Sequence, residues 1–182
     1  MPHIHTEPGQ HDHTVSAYII RYDGDTPLLL LHRHKKYGKI LQIGGHVELN
    51  EDPWQSALHE LTEETGYEPE QLQVLQPSAI QPVIDDSMVR VWPAAFLQNT
   101  FTVLDGTIED HYHDDNAYVF VAKELPKALP SEGESSELVW LDMTEIGQWS
   151  DDVFNDVKQI AAHIFSNCLP VWQPIPLDRF HT

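Results

Sequence analysis

Three glutamates on one face of a predicted helix are the residues of this sequence best suited to chemistry. Glu60, Glu63 and Glu64 follow the spacing i, i+3 and i+4, which places Cβ atoms within about 5–6 Å of each other on a helix. Like charges at this spacing weaken a helix unless a cation neutralises them. The spacing therefore fits either a solvated acidic face or a binding site for a divalent cation.

The loop before this helix favours the cation site. Gly44 and Gly45 are adjacent, and Glu51 lies at the mouth of the helix. Paired glycines let the backbone approach a ligand closely, and a turned carbonyl group can serve as an oxygen ligand. The composition agrees, because 29 Asp and Glu against 10 Lys and Arg give a net charge of −19. An acidic protein that binds phosphates needs a positive group, and a divalent cation would supply it.

The helix that carries the glutamates is marked at both ends. Asp52 suits the N-cap, Pro53 the first helical position and Gly66 the C-terminal cap. Apolar residues recur along the segment with helical spacing and predict a buried stripe: Trp54, Ala57, Leu58 and Leu61. Because the stripe and the glutamates lie on different faces, the helix can pack on a sheet and still present its carboxylates.

The segment from Gly45 to Tyr67, GHVELNEDPWQSALHELTEETGY, resembles the Nudix box, G-x5-E-x7-R-E-U-x-E-E-x-G-U, where U is a bulky apolar residue. The pattern is filled by Gly45, Glu51, Glu60, Leu61, Glu63, Glu64, Gly66 and Tyr67. The preceding Leu-Gln-Ile-Gly-Gly-His resembles a bacterial subgroup of this family. One position departs from the pattern, because His59 replaces the family's arginine, which braces nearby box acids. Histidine can donate a hydrogen bond there, but it is charged only when protonated.

The resemblance implies an α/β fold, a Nudix-like α/β/α sandwich with a mixed β-sheet between helices. We expect a polar, His-rich N-terminal arm over 1–13, a Nudix hydrolase domain over 14–166 and a Pro-rich, irregular C-terminal tail over 167–182. The hydrophobic pattern predicts seven extended segments, followed by a second helix over 153–165. The extended segments are 14–21, 27–33, 41–47, 72–76, 88–98, 115–122 and 138–141.

The function that the resemblance implies is hydrolysis of a diphosphate linkage in a nucleoside diphosphate joined to another moiety. It implies Mg²⁺, or Mn²⁺ as a substitute, with four ligands: the carboxylates of Glu60, Glu63 and Glu64 and the carbonyl of Gly44. Glu60 or Glu63 is expected to accept the proton of the attacking water, with His59 as the brace. The candidate substrates are nucleoside triphosphates, ADP-ribose, dinucleoside polyphosphates and nucleotide sugars.

Several residues outside the box have two interpretations each. The basic loop with Lys35, Lys36 and Lys39 either binds a distal phosphate or is simply solvated. His46, directly after the paired glycines, is a further candidate for substrate binding. Two acidic residues before the segment 138–141 either supply a catalytic base or are solvated: Glu134 and Glu137.

The chain has 12 histidines, and four of them form two His-x-His pairs near predicted strand starts. These pairs are His11 with His13 and His111 with His113. Imidazole suits zinc or nickel, and alternate residues of a strand share one face. If the two pairs meet beside the box, they form a second, His-ligated metal site; otherwise they are polar loop residues or donors to phosphate.

Two other functions compete with hydrolysis. A ligand-sensing or regulatory Nudix-fold protein with little catalysis would usually have lost box glutamates, and all four are present. An isomerase resembling isopentenyl-diphosphate isomerase needs a cysteine in its pocket, whereas the single cysteine, Cys168, lies in the tail.

The composition also bears on partners and location. The negative charge disfavours nucleic acid and anionic membranes as partners. The sequence has no apolar stretch of membrane length and no signal-peptide pattern, and a lone cysteine fits a reducing compartment. We therefore expect a cytoplasmic protein that binds a small nucleotide-like molecule. A homodimer is an option, since Nudix enzymes are often dimers.

Overall fold

The computed structural model describes residues 8–77, 88–103, 111–148 and 152–180. These residues form one mixed sheet with helices packed on both faces. The predicted fold class, an α/β/α sandwich around a mixed sheet, is confirmed.

Nine strands are defined within the described ranges: β1 (His11–Asp23), β2 (Thr26–Arg33), β3 (Ile40–Leu41), β4 (Ile43–His46), β5 (Leu72–Gln76), β6 (Leu97–Val103), β7 (His111–Ala122), β8 (Leu138–Leu141) and β9 (Gln173–Pro176). The main path of the sheet runs β3-β2-β1-β7-β5-β9, while β4 pairs with β1, β6 with β7 and β8 with β2. The long central pair, β1 and β7, is parallel, and the other pairs of named strands are antiparallel.

The helices are α1 (Pro53–Thr65), α2 (Met143–Gln148) and α3 (Asn155–His163), where α3 continues into a π-helical turn over Ile164–Cys168. Short 3-10 turns cover Pro69–Gln71 and Leu177–Arg179. The start of α1 is a capping box, because Asp52 accepts from the Gln55 backbone N–H at 2.9 Å and the Gln55 side chain accepts from the Asp52 N–H at 3.1 Å. Gly66 ends α1 in the left-handed conformation, with φ 74°, as predicted for its cap.

The side chains of β1 point alternately into two hydrophobic cores, one on each face of the sheet. Val15, Ala17 and Ile19 point to the face covered by α1, here called the α1 face, while Tyr18 and Ile20 point to the α3 face. The helices contribute residues to the two cores separately: Trp54, Ala57 and Leu61 from α1, and Val157 and Ala161 from α3. The sheet thus divides the molecule into two sides, and the position of each polar side chain depends on the face to which it points.

Several predicted boundaries of the arm and the strands differ from those in the structure. β1 begins at His11, inside the predicted arm, and β7 begins at His111 rather than 115, because these two polar ends pair with each other in parallel. The strand predicted over 88–98 is wrong: the chain is irregular over 88–96, and the strand is β6, which pairs with β7. Tertiary pairing, rather than local hydrophobicity, fixes these limits.

The tail also differs from the expectation. β9 pairs with β5, and the side chains of Leu177 and Phe180 are buried against α1-face residues, so the tail from 173 is not irregular. Proline is tolerated in β9 because it lies at the edge of the sheet. Among the described residues, no helix is both long and apolar enough to cross a membrane.

Candidate active site

The turn in β4 and the helix α1 meet at the two glycines. A Cβ atom built on Gly45 would overlap the carboxyl group of Glu60, and one built on Gly44 would overlap the carbonyl oxygen of Val15. Gly44 also has a φ of 153°, a conformation that side chains rarely adopt. Its N–H donates a hydrogen bond to Glu64 Oε2 at 2.9 Å. The two glycines therefore allow β4 to lie directly against the carboxylates of α1.

Two of the three helix glutamates are buried in this contact. Glu60 and Glu64 each expose 6% of their surface. Burial, reinforced by the charge of Glu63, raises the pKa of Glu60 to about 7. Burial raises the pKa of Glu64 to about 8, even though the hydrogen bond from Gly44 favours its charged form. Neighbouring buried carboxylates that resist ionisation form a site where a cation would be strongly favoured.

His32 of β2 completes the buried side of this group. Its Nδ1 lies 3.7 Å from Glu64 Oε1, and both side chains are almost fully buried. Burial, together with the charge of His34, lowers the pKa of His32 to about 4. At neutral pH His32 is therefore an uncharged imidazole, and it does not neutralise the glutamates.

Glu63 and His59 lie on the solvent side of the same helix. His59 is placed between two box acids, with Nδ1 3.0 Å from Glu51 Oε1 and Nε2 3.2 Å from Glu63 Oε1. Partial burial works against the charged form of His59, but Glu63 and Glu51 outweigh it and raise the pKa of the imidazole. The geometry matches the bracing expected at this position, because one ring reaches two carboxylates.

Glu134 approaches the box, whereas Glu137 does not. The negative charge of Glu134 contributes to the raised pKa values of both Glu60 and Glu64. Its loop is tied to the end of α1, since the Ser131 N–H donates to the Glu63 carbonyl at 2.7 Å. Glu137 instead accepts from Arg33 Nε at 2.7 Å in an exposed ion pair.

The basic loop lies next to the loop that holds Glu134. The ammonium group of Lys35 donates to the carbonyl of Gly133, and Lys35 is exposed. Lys36 places its ammonium 5.6 Å from the centre of the Tyr37 ring, and Lys39 is partly buried. Lys35 is therefore in direct contact with the loop that holds Glu134.

His46 is not with the glutamates. Its partner on β1 is Thr14, and its Nε2 lies 3.8 Å from Asp12 Oδ2, on the α3 face. Gly45, one residue earlier, faces Glu60 on the α1 side. The structure therefore places the His46 side chain on the opposite face of the sheet from the glutamates.

The two His-x-His pairs do not meet. His11 and His13 are exposed, and their strand positions alternate with Asp12, which is buried. Asp12 lies opposite His113 in the parallel register. Of the two interpretations, the one in which both pairs form a single site is therefore wrong, because a strand sends neighbouring residues to opposite faces. Asp12 was not among the predicted site residues, and the signal for it is the alternation of a strand that begins at His11, which buries Asp12 between two exposed histidines.

The fold also shows where two aromatic residues and the single cysteine lie relative to the box. Tyr18 is a core residue at 1% exposure, whereas Trp92 is 39% exposed and lines a cavity of about 370 Å³. Cys168 packs in the core of the α3 face, and burial raises the pKa of its thiol. Cys168 thus lies on the other side of the sheet from the box. The cysteine that an isomerase would need beside the glutamates is therefore not there.

The NUDIX domain model matches residues 12–163, so the chain belongs to the Nudix hydrolase family. The resemblance inferred from the box is confirmed. Among curated proteins, the methanol dehydrogenase activator of Bacillus methanolicus is 30% identical over 105 residues, which are 56% of this chain and 56% of that protein. The chain thus matches about half the length of that relative.

Solved structures of the family share the fold. A hydrolase of the NUDIX family from Clostridium perfringens superposes with a TM-score of 0.68 at 26% identity, covering 84% of this chain and 94% of the other. The Ap4A hydrolase of C. elegans, in a binary complex, gives a TM-score of 0.59 at 16% identity, covering 87% and 98%. At that identity the second likeness concerns the fold alone.

Proposed function

We propose that this protein hydrolyses a diphosphate linkage in a nucleoside diphosphate joined to another moiety, in a reaction that depends on Mg²⁺ or Mn²⁺. The observation that carries the proposal is the pair of buried carboxylates, Glu60 and Glu64, held against the Gly44–Gly45 turn. Buried acids that stay ionised need a cation beside them, and a hard divalent cation prefers oxygen ligands. The proposed ligands are these two carboxylates, that of Glu63 and the carbonyl of Gly44.

A divalent ion at this position would neutralise the diphosphate and orient it for in-line attack by water. The residues of the chain have separate roles around it. Glu60 or Glu63 accepts the proton of the attacking water. His59 holds Glu63 and Glu51 in fixed positions, since its two ring nitrogens reach both acids. All four box glutamates are retained, and this supports hydrolysis over a sensing role without catalysis.

The surroundings support a nucleotide-like substrate. Lys35, beside the loop of Glu134, is proposed to bind a distal phosphate. The cavity at Trp92 offers an aromatic surface next to the amide groups of Gln98 and Asn116, which suits the stacking and hydrogen bonding of a base. Its wall includes Tyr118, whose ring centre lies 5.3 Å from that of Trp54 at the start of α1.

The test is a panel of nucleoside triphosphates, ADP-ribose, dinucleoside polyphosphates and nucleotide sugars, incubated with Mg²⁺ and scored for released phosphate, pyrophosphate and nucleotide. Glu60→Gln and Glu64→Gln should each lower turnover of the active compound by at least about 100-fold. The matched control is Glu70→Gln, which changes an exposed glutamate outside the site. Full activity in excess EDTA, or in both site variants, contradicts the proposal.

A further inference from the structure

A second cluster of metal-binding side chains lies at the ends of β1 and β7. The parallel register places Asp12 opposite His113, while His111 is two residues earlier on the same face of β7. One ligand atom from each of Asp12, His111 and His113 can be chosen so that all three lie within 4.8 Å of one another. We propose that Asp12, His111 and His113, with His46 as the fourth ligand, form a binding site for a transition-metal ion of the zinc class.

The fourth ligand comes from the neighbouring strand. His46 Nε2 lies 3.8 Å from Asp12 Oδ2, and the centres of the His46 and His113 rings are 4.9 Å apart. The rings of His111 and His113 are 5.2 Å apart. β1, β4 and β7 therefore each contribute to one cluster, although the chain separates these residues widely.

The dimensions fit a single ion after a small movement. Zinc binds imidazole nitrogen and carboxylate oxygen at about 2.0–2.2 Å, so its ligand atoms lie roughly 3.4 Å apart in a tetrahedral site. The observed spread of up to 4.8 Å for three of the ligands requires them to close by about an ångström or somewhat more. Rotation of side chains is enough for a change of this size, because the strands already hold the residues on one face.

The ligand types select the metal. Three imidazoles and one carboxylate are borderline ligands that suit zinc and its neighbours, whereas Mg²⁺ prefers an all-oxygen shell. The residues are also sheltered: Asp12 and His111 are 1% exposed and His113 is 9% exposed. The ring of Phe101 on β6 packs edge-on against His113 at 5.2 Å. A carboxylate buried among imidazoles is stabilised by a bound cation.

The neighbouring acid on this face has a different role. Asp115, two residues after His113, accepts hydrogen bonds from Thr14 Oγ1 at 3.0 Å and Ser16 Oγ at 3.1 Å. These hydroxyl groups engage Asp115, and it is Asp12 whose carboxylate oxygen lies within 4.8 Å of ligand atoms of His111 and His113.

The proposed site is separate from the glutamates but shares β4 with them. Gly44 donates to Glu64 on one side of the molecule, while His46 faces Asp12 on the other. A metal bound to His46 would fix β4 to β1 and β7, and would thereby hold the glycine turn in place. The site goes beyond the proposed hydrolysis, since metal binding here does not require the box carboxylates.

The test measures Zn²⁺ binding by the metal-stripped full chain, in competition with a chromophoric chelator. The background is the double variant Glu60→Gln, Glu64→Gln, so that the box cannot be the source of the signal. We expect one Zn²⁺ per chain in this background. His113→Ala added to it should lower Zn²⁺ affinity by at least about 100-fold. The matched control, His13→Ala, changes an exposed histidine of β1 that points to the other face, and it should leave the affinity unchanged.

X-ray absorption of the zinc-loaded double variant gives an independent measurement that does not depend on the folding of a histidine variant. Two or three imidazole ligands support the proposal. A shell of oxygen alone, the lack of stoichiometric Zn²⁺ binding in the double variant, or equal affinities of the His113→Ala and His13→Ala proteins would overturn it. None of these results depends on hydrolysis, so a failure of the zinc site and a failure of the proposed activity are distinguishable.

Discussion

Glu64→Gln should stabilise the metal-free protein at alkaline pH while removing its response to Mg²⁺. The pKa of Glu64 is raised from its ordinary value of 4.5 to about 8 in the folded protein. When the pH lies between these two pKa values, Glu64 keeps its proton in the folded chain and releases it in the unfolded chain. The free energy of unfolding therefore falls as the pH rises through this range. A neutral glutamine avoids this loss and can still accept the hydrogen bond from Gly44 through its side-chain oxygen.

The magnitude follows from the two pKa values. Each tenfold change in proton affinity corresponds to about 1.4 kcal/mol, so ionised Glu64 destabilises the folded state at pH 9 by an amount on the order of 5 kcal/mol. At pH 5 the folded protein retains the proton, and the same calculation gives a difference of less than about 1 kcal/mol. The advantage of the glutamine variant should therefore grow steeply between pH 5 and pH 9.

The assay is urea denaturation followed by circular dichroism, in EDTA, at pH 5, 7 and 9 (about two pH units apart, to span the titration). Mg²⁺ added at pH 9 should stabilise the wild-type protein and leave the variant nearly unchanged. Glu70→Gln provides the baseline for loss of an exposed charge. A Glu64→Gln protein that is less stable than wild type at pH 9, or a stability advantage that does not change with pH, would show that ionisation of Glu64 does not destabilise the folded protein.

Three further changes test other parts of the site. His59→Arg should raise hydrolysis most at high pH. His59 loses its charge once the pH passes its raised pKa, so its contacts with the two acids weaken, whereas arginine stays charged. An unchanged pH–rate profile would contradict this. Gly45→Ala should lower Mg²⁺-dependent activity by at least about tenfold, since the added methyl group would overlap the Glu60 carboxyl group. Normal activity in a variant that circular dichroism shows to be folded would argue against this close contact. Glu134→Gln should lower kcat, because the charge of Glu134 acts on Glu60 and Glu64. Glu137→Gln should leave kcat unchanged and affect stability only slightly, because it loses an exposed ion pair. Equal effects of the two variants on kcat would show that Glu134 has no special role.

The local sequence specified the helix and its chemistry. Asp52, Pro53 and Gly66 predicted the limits of α1, and the i, i+3, i+4 spacing predicted that its glutamates share a face. Backbone geometry alone fixes such relations, because residues within two turns of a helix have no other arrangement. The box pattern was recognised as a family resemblance from residue types and spacing, which also requires no knowledge of the fold.

The tertiary structure decided which of these glutamates are buried. Glu60 is buried against Gly45 of the β4 turn, and Glu64 against Gly44 and His32. Glu63, on the same helix, stays partly exposed beside His59. Burial depends on what packs above the helix, and helical periodicity carries no information about that. The raised pKa values of the two buried acids are therefore a product of the fold.

The histidine pairs of β1 and β7 show the same difference between what the local sequence predicts and what the sheet determines. His-x-His at the start of a strand was visible in the sequence, but the face on which each ring lies follows from the register of β1 with β7. A one-residue change in register moves every side chain to the other face. The sequence alone therefore determines the spacing of the histidines. Only the sheet determines that Asp12, rather than His11 or His13, lies beside His111 and His113. The reason is that parallel pairing brings residues about a hundred positions apart in the chain together on a single face.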